Sequence, residues 1–427
     1  MTADMILISQ EAAQLIKTSG LWGHLSLRIS EPDALAGVIS VSEQQKVMRP
    51  AALEPRNHVL RCAGTGSGVW YRVGPELHGA ALLVSVRSSG LTLEGFRGHV
   101  PSGFKTPGAM AYYALTYAPG VHDPPYNEGQ IPELMAWHVS ADGAWPISTQ
   151  VEPQTLGLSQ FAPSWPVAEL SESTVMLVGG GSIGGAAAHA LALYGVGNLL
   201  LVDPDRLGWH NLVRHVTSSR HVGRYKVDAL ADELAQIRSE TRTEALRLDV
   251  VVDADRIRPL LRRTHVVLCA ADGIAPRRVV SHLARRAGID TVLACVLQDG
   301  AFGEILRLRP WADRGCLVCE RETLATAGGM DIEPSLDAGY GTGTRHRPMT
   351  AVGGDLHLVG QLAAKVAVAT VLERRGQADQ RLPGEHTVWA LRPQPGAAPP
   401  FDLSRSGELR WSPAHPPRPG CPTCQAP

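Results

Sequence analysis

The chain has no surplus of charge of either sign: 40 Lys and Arg stand against 41 Asp and Glu, a formal net charge of -1. Binding nucleic acid or an anionic membrane by charge needs a basic excess, so neither class of partner has electrostatic support. Uninterrupted apolar runs of bilayer-crossing length are missing, and the polar start Met1-Thr-Ala-Asp lacks the basic and apolar regions of a signal peptide. The expected location is therefore the cytoplasm. Cysteine is sparse, seven in 427 residues, and four of the seven form two Cys-x-x-Cys pairs, Cys316/Cys319 and Cys421/Cys424. In a cytosolic chain such pairs favour metal over disulfides. His24, His78, His99 and His138 lack ligand spacing and read as surface or satisfied core histidines.

What is present divides the chain in two. Residues 1–165 hold short β-like runs such as 37–41 and 80–86 between Gly, Pro and Ser turns, with helical patterns at 10–17 and 108–116; a small α+β domain is expected. Proline-rich turns between 150 and 170 mark a boundary. Over 166–427 strands alternate with helices, the pattern of a doubly wound, mostly parallel α/β sheet. β-like runs at 199–203, 245–252, 265–270 and 291–297 are separated by helical faces at 186–194, 227–237 and 279–284. Arg277, Arg278, Arg285 and Arg286 are expected on a solvated helix face. Residues 323–350 show no period and read as a loop; helical spacing returns at 356–372, and β-like runs at 387–391 and 408–411 precede the last cysteine pair.

The chemistry gathers around Thr174-Val-Met-Leu-Val-Gly-Gly-Gly-Ser-Ile-Gly-Gly185, a strand-type run turning through Gly179, Gly181 and Gly184 into a helix. Glycines there let backbone N–H groups approach phosphate oxygens. Asp203 ends the next run, at the distance where an acid meets ribose hydroxyls. The turn alone is shared by dehydrogenases, flavoproteins, methyltransferases and adenylating enzymes. Asn211, Arg214, Lys226 and Asp272 follow in order. A carboxylate attacking the α-phosphorus of ATP needs cations for the charge that develops and an acid to hold Mg²⁺ against the phosphates. A dehydrogenase needs none of them.

Gly179-Gly-Gly-Ser-Ile-Gly-Gly185, Val202-Asp-Pro-Asp-Arg-Leu, Asn211-Leu-Val-Arg214, Gly223-Arg-Tyr-Lys226 and Val267-Leu-Cys-Ala-Ala-Asp272 together resemble the adenylating superfamily of ubiquitin-activating enzymes and the ThiF and MoeB proteins. The resemblance covers 174 to about 372 plus the terminal cysteine pair. It implies that Asp203 binds the ATP ribose, Asn211 and Arg214 the phosphates, Lys226 the triphosphate, and Asp272 the Mg²⁺ and α-phosphate. It also implies that Cys316, Cys319, Cys421 and Cys424 hold a structural Zn²⁺, and it raises homodimerisation.

Two departures stand out. Residues 320–420 contain no cysteine, so the family's usual acyl acceptor is absent and Cys295 is the lone thiol left near the adenylate. Its apolar neighbours Leu293, Ala294, Val296 and Leu297 argue for an inert, buried sulfur. The family's helix before the glycine turn, which lends an arginine to a partner subunit, is not recognisable between 160 and 173. The expected substrate is the C-terminal carboxylate of a small ubiquitin-like protein, recruited with or without a downstream carrier enzyme by residues 1–165 and covered by 323–350. The alternatives are a ribosomal peptide adenylated without a thioester and, more remotely, an inactive binding scaffold.

Overall fold

Alternating side chains on short strands build residues 1–156, the first of two units into which the chain divides; the second is 157–427. The computed structural model describes residues 3–425 apart from 56, 87–88, 127–130, 154–156, 330–350 and 394. In the first unit the order is β1 (Met5–Ile8), α1 (Gln10–Thr18), β2 (Trp22–Ser30), β3 (Leu35–Val41), β4 (Arg49–Pro50), β5 (Gly64–Arg72), α2 (Pro75–Val86), α3 (Leu93–Gly98), β6 (Tyr112–Tyr117), β7 (Leu134–Ser140) and β8 (Gly143–Val151). Because β1 pairs with both β8 and β3, the strands close into a ring in the order β1-β8-β7-β6-β5-β2-β3, with β4 outside it on β3. Ile6, Leu25, Leu27, Val38, Trp70 and Leu115 share one core with Ala12, Ala13 and Ile16 of α1. The alternate positions Val69, Tyr71, Ala114 and Trp137 pack with Leu77 and Ala81 of α2 and Phe96 of α3.

Two readings of this region are corrected. The run at 80–86 belongs to α2, where Pro75 opens the helix and Glu76 sits in its first turn; a short apolar run alone does not separate strand from helix. The helix expected at 108–116 is absent, and β6 begins at Tyr112, its aromatic and β-branched residues fitting a sheet.

The second unit is the expected doubly wound sheet. β9 (Thr174–Val178), β10 (Asn198–Val202), β11 (Arg242–Leu246), β12 (Val266–Cys269) and β13 (Asp290–Leu297) lie parallel in the order β11-β10-β9-β12-β13. β14 (Phe302–Leu308), β15 (His386–Ala390) and β16 (Leu409–Ser412) extend it antiparallel. The helices are α4 (Val167–Ser171), α5 (Ser182–Tyr194), α6 (Lys226–Ile237), α7 (Ala254–Ile257), α8 (Ile274–Arg286), α9 (Leu317–Thr326) and α10 (Gly353–Arg374). Both faces of the strands are buried: Leu177, Leu199 and Leu268 pack with α5, α6 and α10, while Met176, Leu200 and Val267 pack with α7, α8 and α9. Each such Leu contributes roughly 1.5–3 kcal/mol, which is why these runs read as continuously apolar.

The second unit begins at 157, inside the 150–170 stretch read as the boundary, and Trp165 donates from Nε1 to the Tyr194 carbonyl at 2.9 Å and packs on the core formed by α5. Residues 323–326 are the last turn of α9 rather than loop; most of the expected loop, 330–350, lies outside the described residues. α10, interrupted by Asp355, Gln361 and Lys365, is by length and composition a helix that could cross a bilayer, but 67% of its apolar window is buried in the fold. It lies so close to α5 that a Cβ on Gly360 would sit 2.3 Å from the Ile183 carbonyl oxygen. Buried Arg307 of β14 and Arg309 just beyond it pair with Glu373 of α10 and with Glu385, tying the antiparallel extension to the same helix.

Candidate functional site

β10 and β12 flank β9 on opposite sides, so the chain leaves β9 at a switch point where a crevice opens beyond the strand ends. The turn after β9 sits there. Gly179 has φ +94°, and a Cβ on it would lie 2.7 Å from the Ala271 nitrogen. A Cβ on Gly184 would lie 1.8 Å from the Gly179 carbonyl oxygen, so glycine is what lets α5 start against the turn. Gly181 is different: no atom of the described chain lies within 4 Å of its missing Cβ. It N-caps α5 without any side-chain cap, and the neighbouring Ser182 hydroxyl is buried without a hydrogen-bond partner among the described residues. Uncapped N–H groups, an orphan hydroxyl and open space beside them suit an anion.

Asp203, buried just past β10, accepts from the Gly180 N–H at 2.7 Å and the Asp205 N–H at 2.8 Å. This carboxylate holds the turn in shape, and burial pushes its pKa up. Lys226 opens α6, an end where a cation opposes the helix dipole. The acids around it offset that cost: its Nζ bonds Asp205 Oδ2 at 2.7 Å. Burial alone would pull the ammonium down, but Asp203, Asp205 and Asp272 outweigh it and hold its pKa above the ordinary value. Asp272, exposed beyond β12, is near enough to add to that attraction.

Asn211 is buried in a short 3-10 turn, its Oδ1 accepting from the Gly208 N–H at 2.8 Å, which leaves the amide NH₂ for a ligand. Arg214 follows, with a buried Nε that has no partner among the described residues. Sequence reasoning missed the histidines here. Burial, then Lys226, Arg214, His210 and His357, depress His215 to about 3, and His189 is lowered by burial and by His357. Single histidines on separate elements carry no spacing signal. A cavity of about 500 Å³ lies beside the cluster, but none of Gly181, Asn211, Arg214, Lys226 and Asp272 lines it, and its Arg224 and Arg247 are already paired with Asp232 and Asp228.

Cys295, near the end of β13, is half-buried and hydrogen-bonded: Arg277 Nη1 donates to its sulfur at 3.3 Å and the thiol donates to Glu304 Oε2 at 3.5 Å. Burial pushes this thiol up to about 11, and Cys269 likewise. Glu304 itself is fully buried, where desolvation would raise it, but bidentate pairing with Arg321 and a bond to His386 hold it well below the carboxylate range. Arg277 and Arg285 therefore do not form a solvated face: Arg277 Nε also bonds the Gly273 carbonyl at 2.8 Å, beside Asp272, and Arg285 bonds the Arg314 carbonyl at 2.8 Å.

The two Cys-x-x-Cys pairs meet although 105 residues separate them, with sulfur–sulfur distances of 3.6 Å for Cys316/Cys421 and 3.8 Å for Cys319/Cys424. All four sulfurs lie within 4.8 Å of one another. Zinc–sulfur bonds of about 2.3 Å in a tetrahedron put sulfurs about 3.8 Å apart, whereas a disulfide needs about 2.05 Å. The set thus fits a tetrahedral ion with no open position. The Arg418 N–H donates to Cys319 Sγ at 3.3 Å, and buried Glu320 accepts from His415 Nδ1 at 2.6 Å, so the tail is held by more than the cysteines.

A parallel sheet with a glycine turn at its switch point and acids and cations at neighbouring strand ends defines a Rossmann-type nucleotide-binding unit. The chain belongs to the ThiF family, whose model matches residues 152–378, a little over half of it. It is 31% identical over 174 residues to the sulfur carrier protein ThiS adenylyltransferase of Bacillus subtilis, covering 39% of this chain and 50% of that protein. It is 34% identical over 109 residues to the molybdopterin-synthase adenylyltransferase of Escherichia coli, covering 25% and 43%. The chain thus spans about half the length of the curated relatives it matches. Among solved structures, E. coli MccB with ATP is similar over 60% of this chain and 68% of its own, at 18% identity and a TM-score of 0.45.

Proposed function

We propose that this protein is an ATP- and Mg²⁺-dependent adenylyltransferase that activates the C-terminal carboxylate of a small, ubiquitin-like protein. A carboxylate oxygen bonds the α-phosphorus while the bond to the pyrophosphate oxygen breaks. The observation that carries this reading is the gathering of the uncapped Gly181–Ser182 helix start, Lys226 and Asp272 around one crevice, with Arg214 in the adjoining turn. Backbone N–H groups after Gly181, with Lys226 and Arg214, bind and neutralise the phosphates, the Asn211 amide adds a donor, and Asp203 both sets the turn and faces the ribose. Asp272 holds Mg²⁺, which supplies charge neutralisation on the phosphates. The thiolates of Cys316, Cys319, Cys421 and Cys424 hold a structural Zn²⁺. The unit 1–156 recruits the substrate protein or a carrier enzyme, and the protein works in the cytoplasm.

The test is ATP–pyrophosphate exchange with co-encoded small proteins, where substrate-dependent exchange supports the reading. ATP binding without exchange for any such candidate overturns it.

A second reading is favoured by one observation: Cys295 is half-buried, hydrogen-bonded and raised to about 11, which disarms it as an acyl acceptor. On that reading the substrate is a ribosomal peptide and no thioester forms. Mass spectrometry separates the two, a reducible thioester on Cys295 supporting a ubiquitin-like pathway through the enzyme and an AMP-modified peptide the alternative.

A further inference from the structure

The turn carrying Arg214 lies between β10 and α6, outside both the sheet and the helices. Its own hydrogen bonds are local: the Arg214 and His215 N–H groups both donate to the Asn211 carbonyl at 3.0 Å. A link of long sequence range comes from α10, where His357 Nε2 lies 2.7 Å from the Arg214 carbonyl oxygen, 143 residues away. A carbonyl only accepts, so Nε2 carries the proton and the tautomer is fixed. Four residues earlier, a Cβ on Gly353 would stand 3.2 Å from both the Arg214 Cα and the Val213 oxygen, so the first turn of α10 rests directly on this stretch of backbone. The guanidinium beyond it has a buried Nε with no partner among the described residues.

An arginine held for a ligand loses side-chain freedom when it binds, and fixing its backbone reduces how much must be lost at that moment. α10 is a suitable anchor, since most of its apolar side chains are buried and its far end is pinned through Glu373 to Arg307 and Arg309. We propose that His357 is a positioning residue, which clamps the Arg214 backbone to α10 and so presets the Arg214 guanidinium for the nucleotide's phosphates. The inference rests on the adenylation reading and adds a residue on a different helix to its phosphate site.

The experiment measures binding of α,β-methylene ATP with Mg²⁺ by calorimetry, using the full chain and four variants: His357→Ala, His357→Gln, Arg214→Ala and the double variant His357→Ala/Arg214→Ala. His357→Ala is expected to weaken binding about tenfold, the order of one hydrogen bond. His357→Gln, whose side-chain N–H reaches the same carbonyl, is expected to bind within about twofold of the parent, and His357→Ala is expected to cost nothing further once Arg214 is gone. A merely structural histidine would instead give a full additive loss on the Arg214→Ala background. Unchanged binding in His357→Ala, full additivity, or failure of Gln to rescue each overturns the proposal. Should His357→Ala not fold, His357→Phe, which keeps a ring and lacks the donor, takes its place in the same cycle. A parent chain that does not bind the analogue overturns the adenylation reading itself; a parent that binds beside an unaffected His357→Ala overturns the positioning role alone.

Discussion

Gly181 and Gly184 are three residues apart in one turn, and the geometry separates what a methyl group would do at each. Real Cβ contacts stay beyond 3.0 Å, and a Cβ on Gly184 would lie 1.8 Å from the Gly179 carbonyl oxygen, so in Gly184→Ala the turn and α5 must part by roughly 1.2 Å or more. Overpacking of this kind in a close-packed core costs about 3 kcal/mol. At roughly 2–4 °C per kcal/mol for a unit of this size, Tm should fall by about 6–12 °C. Gly181 has φ -77°, a conformation any residue adopts, and no described atom lies within 4 Å of its missing Cβ. Gly181→Ala should therefore fold like the parent, with a gain of about 0.4–1 kcal/mol from a less disordered unfolded chain. The methyl group would stand where a phosphate oxygen meets the N–H groups of α5. Losing one such bond costs about 1.5–3 kcal/mol, roughly 10- to 150-fold in affinity. Thermal melts with and without Mg²⁺ and a non-hydrolysable ATP analogue measure both quantities. A stable Gly181→Ala variant that keeps the parent's affinity would remove the phosphates from this turn, and a destabilised one would refute the open space read at Gly181.

Cys295→Ser should retain pyrophosphate exchange and product formation, because a thiol raised to about 11 contributes no thiolate at neutral pH; loss of turnover with ATP binding intact would return Cys295 to the mechanism. Metal analysis of the purified chain should find about one zinc ion, released by Cys421→Ser together with faster proteolysis of the tail after Gly420; a metal-free parent with the same tail protection would refute the zinc assignment. His78 is fully buried between the Pro132 carbonyl and the Thr116 hydroxyl, each 2.7 Å away, and burial lowers it from 6.5 to about 4. A depressed histidine stabilises the fold fully above pH 6.5 and loses that contribution as pH falls towards 4, here up to about 3 kcal/mol. Urea unfolding at pH 7.5 and 4.5 measures the difference, and a His78→Gln variant with the same pH sensitivity would count against it.

Much of the second unit was legible because both signals there are local. Continuous apolar runs such as Leu199–Val202 mark strands buried on two faces, and Val227, Leu230 and Leu234 mark one helical face. The glycine turn, Asp203, Lys226 and Asp272 were legible as an ordered set. The first unit was less so: a run like 80–86 is apolar all round and fits either α2 or a strand, and the closure of β1 onto both β8 and β3 is a pairing across the whole unit that no short window contains. Of the four arginines of α8, Arg278 and Arg286 are exposed as expected, while Arg277 and Arg285 misled because amphipathic spacing tells which residues face the core and not which carbonyls return to meet the rest. Arg285 meets the carbonyl of Arg314, and Arg277 meets Cys295.

By itself the sequence determined which residue types stand at each strand end, in what order, and that the chain holds two Cys-x-x-Cys pairs. It could do so because turn glycines, capping positions and apolar periods act over a few residues. The tertiary structure decided what each of those residues is free to do. Asp203, expected at the ATP ribose, also holds the glycine turn, half-buried Cys295 is hydrogen-bonded between Arg277 and Glu304, and Arg214 is held from α10 by His357. Burial and hydrogen bonding between residues as much as 143 positions apart exist only once the chain has returned on itself.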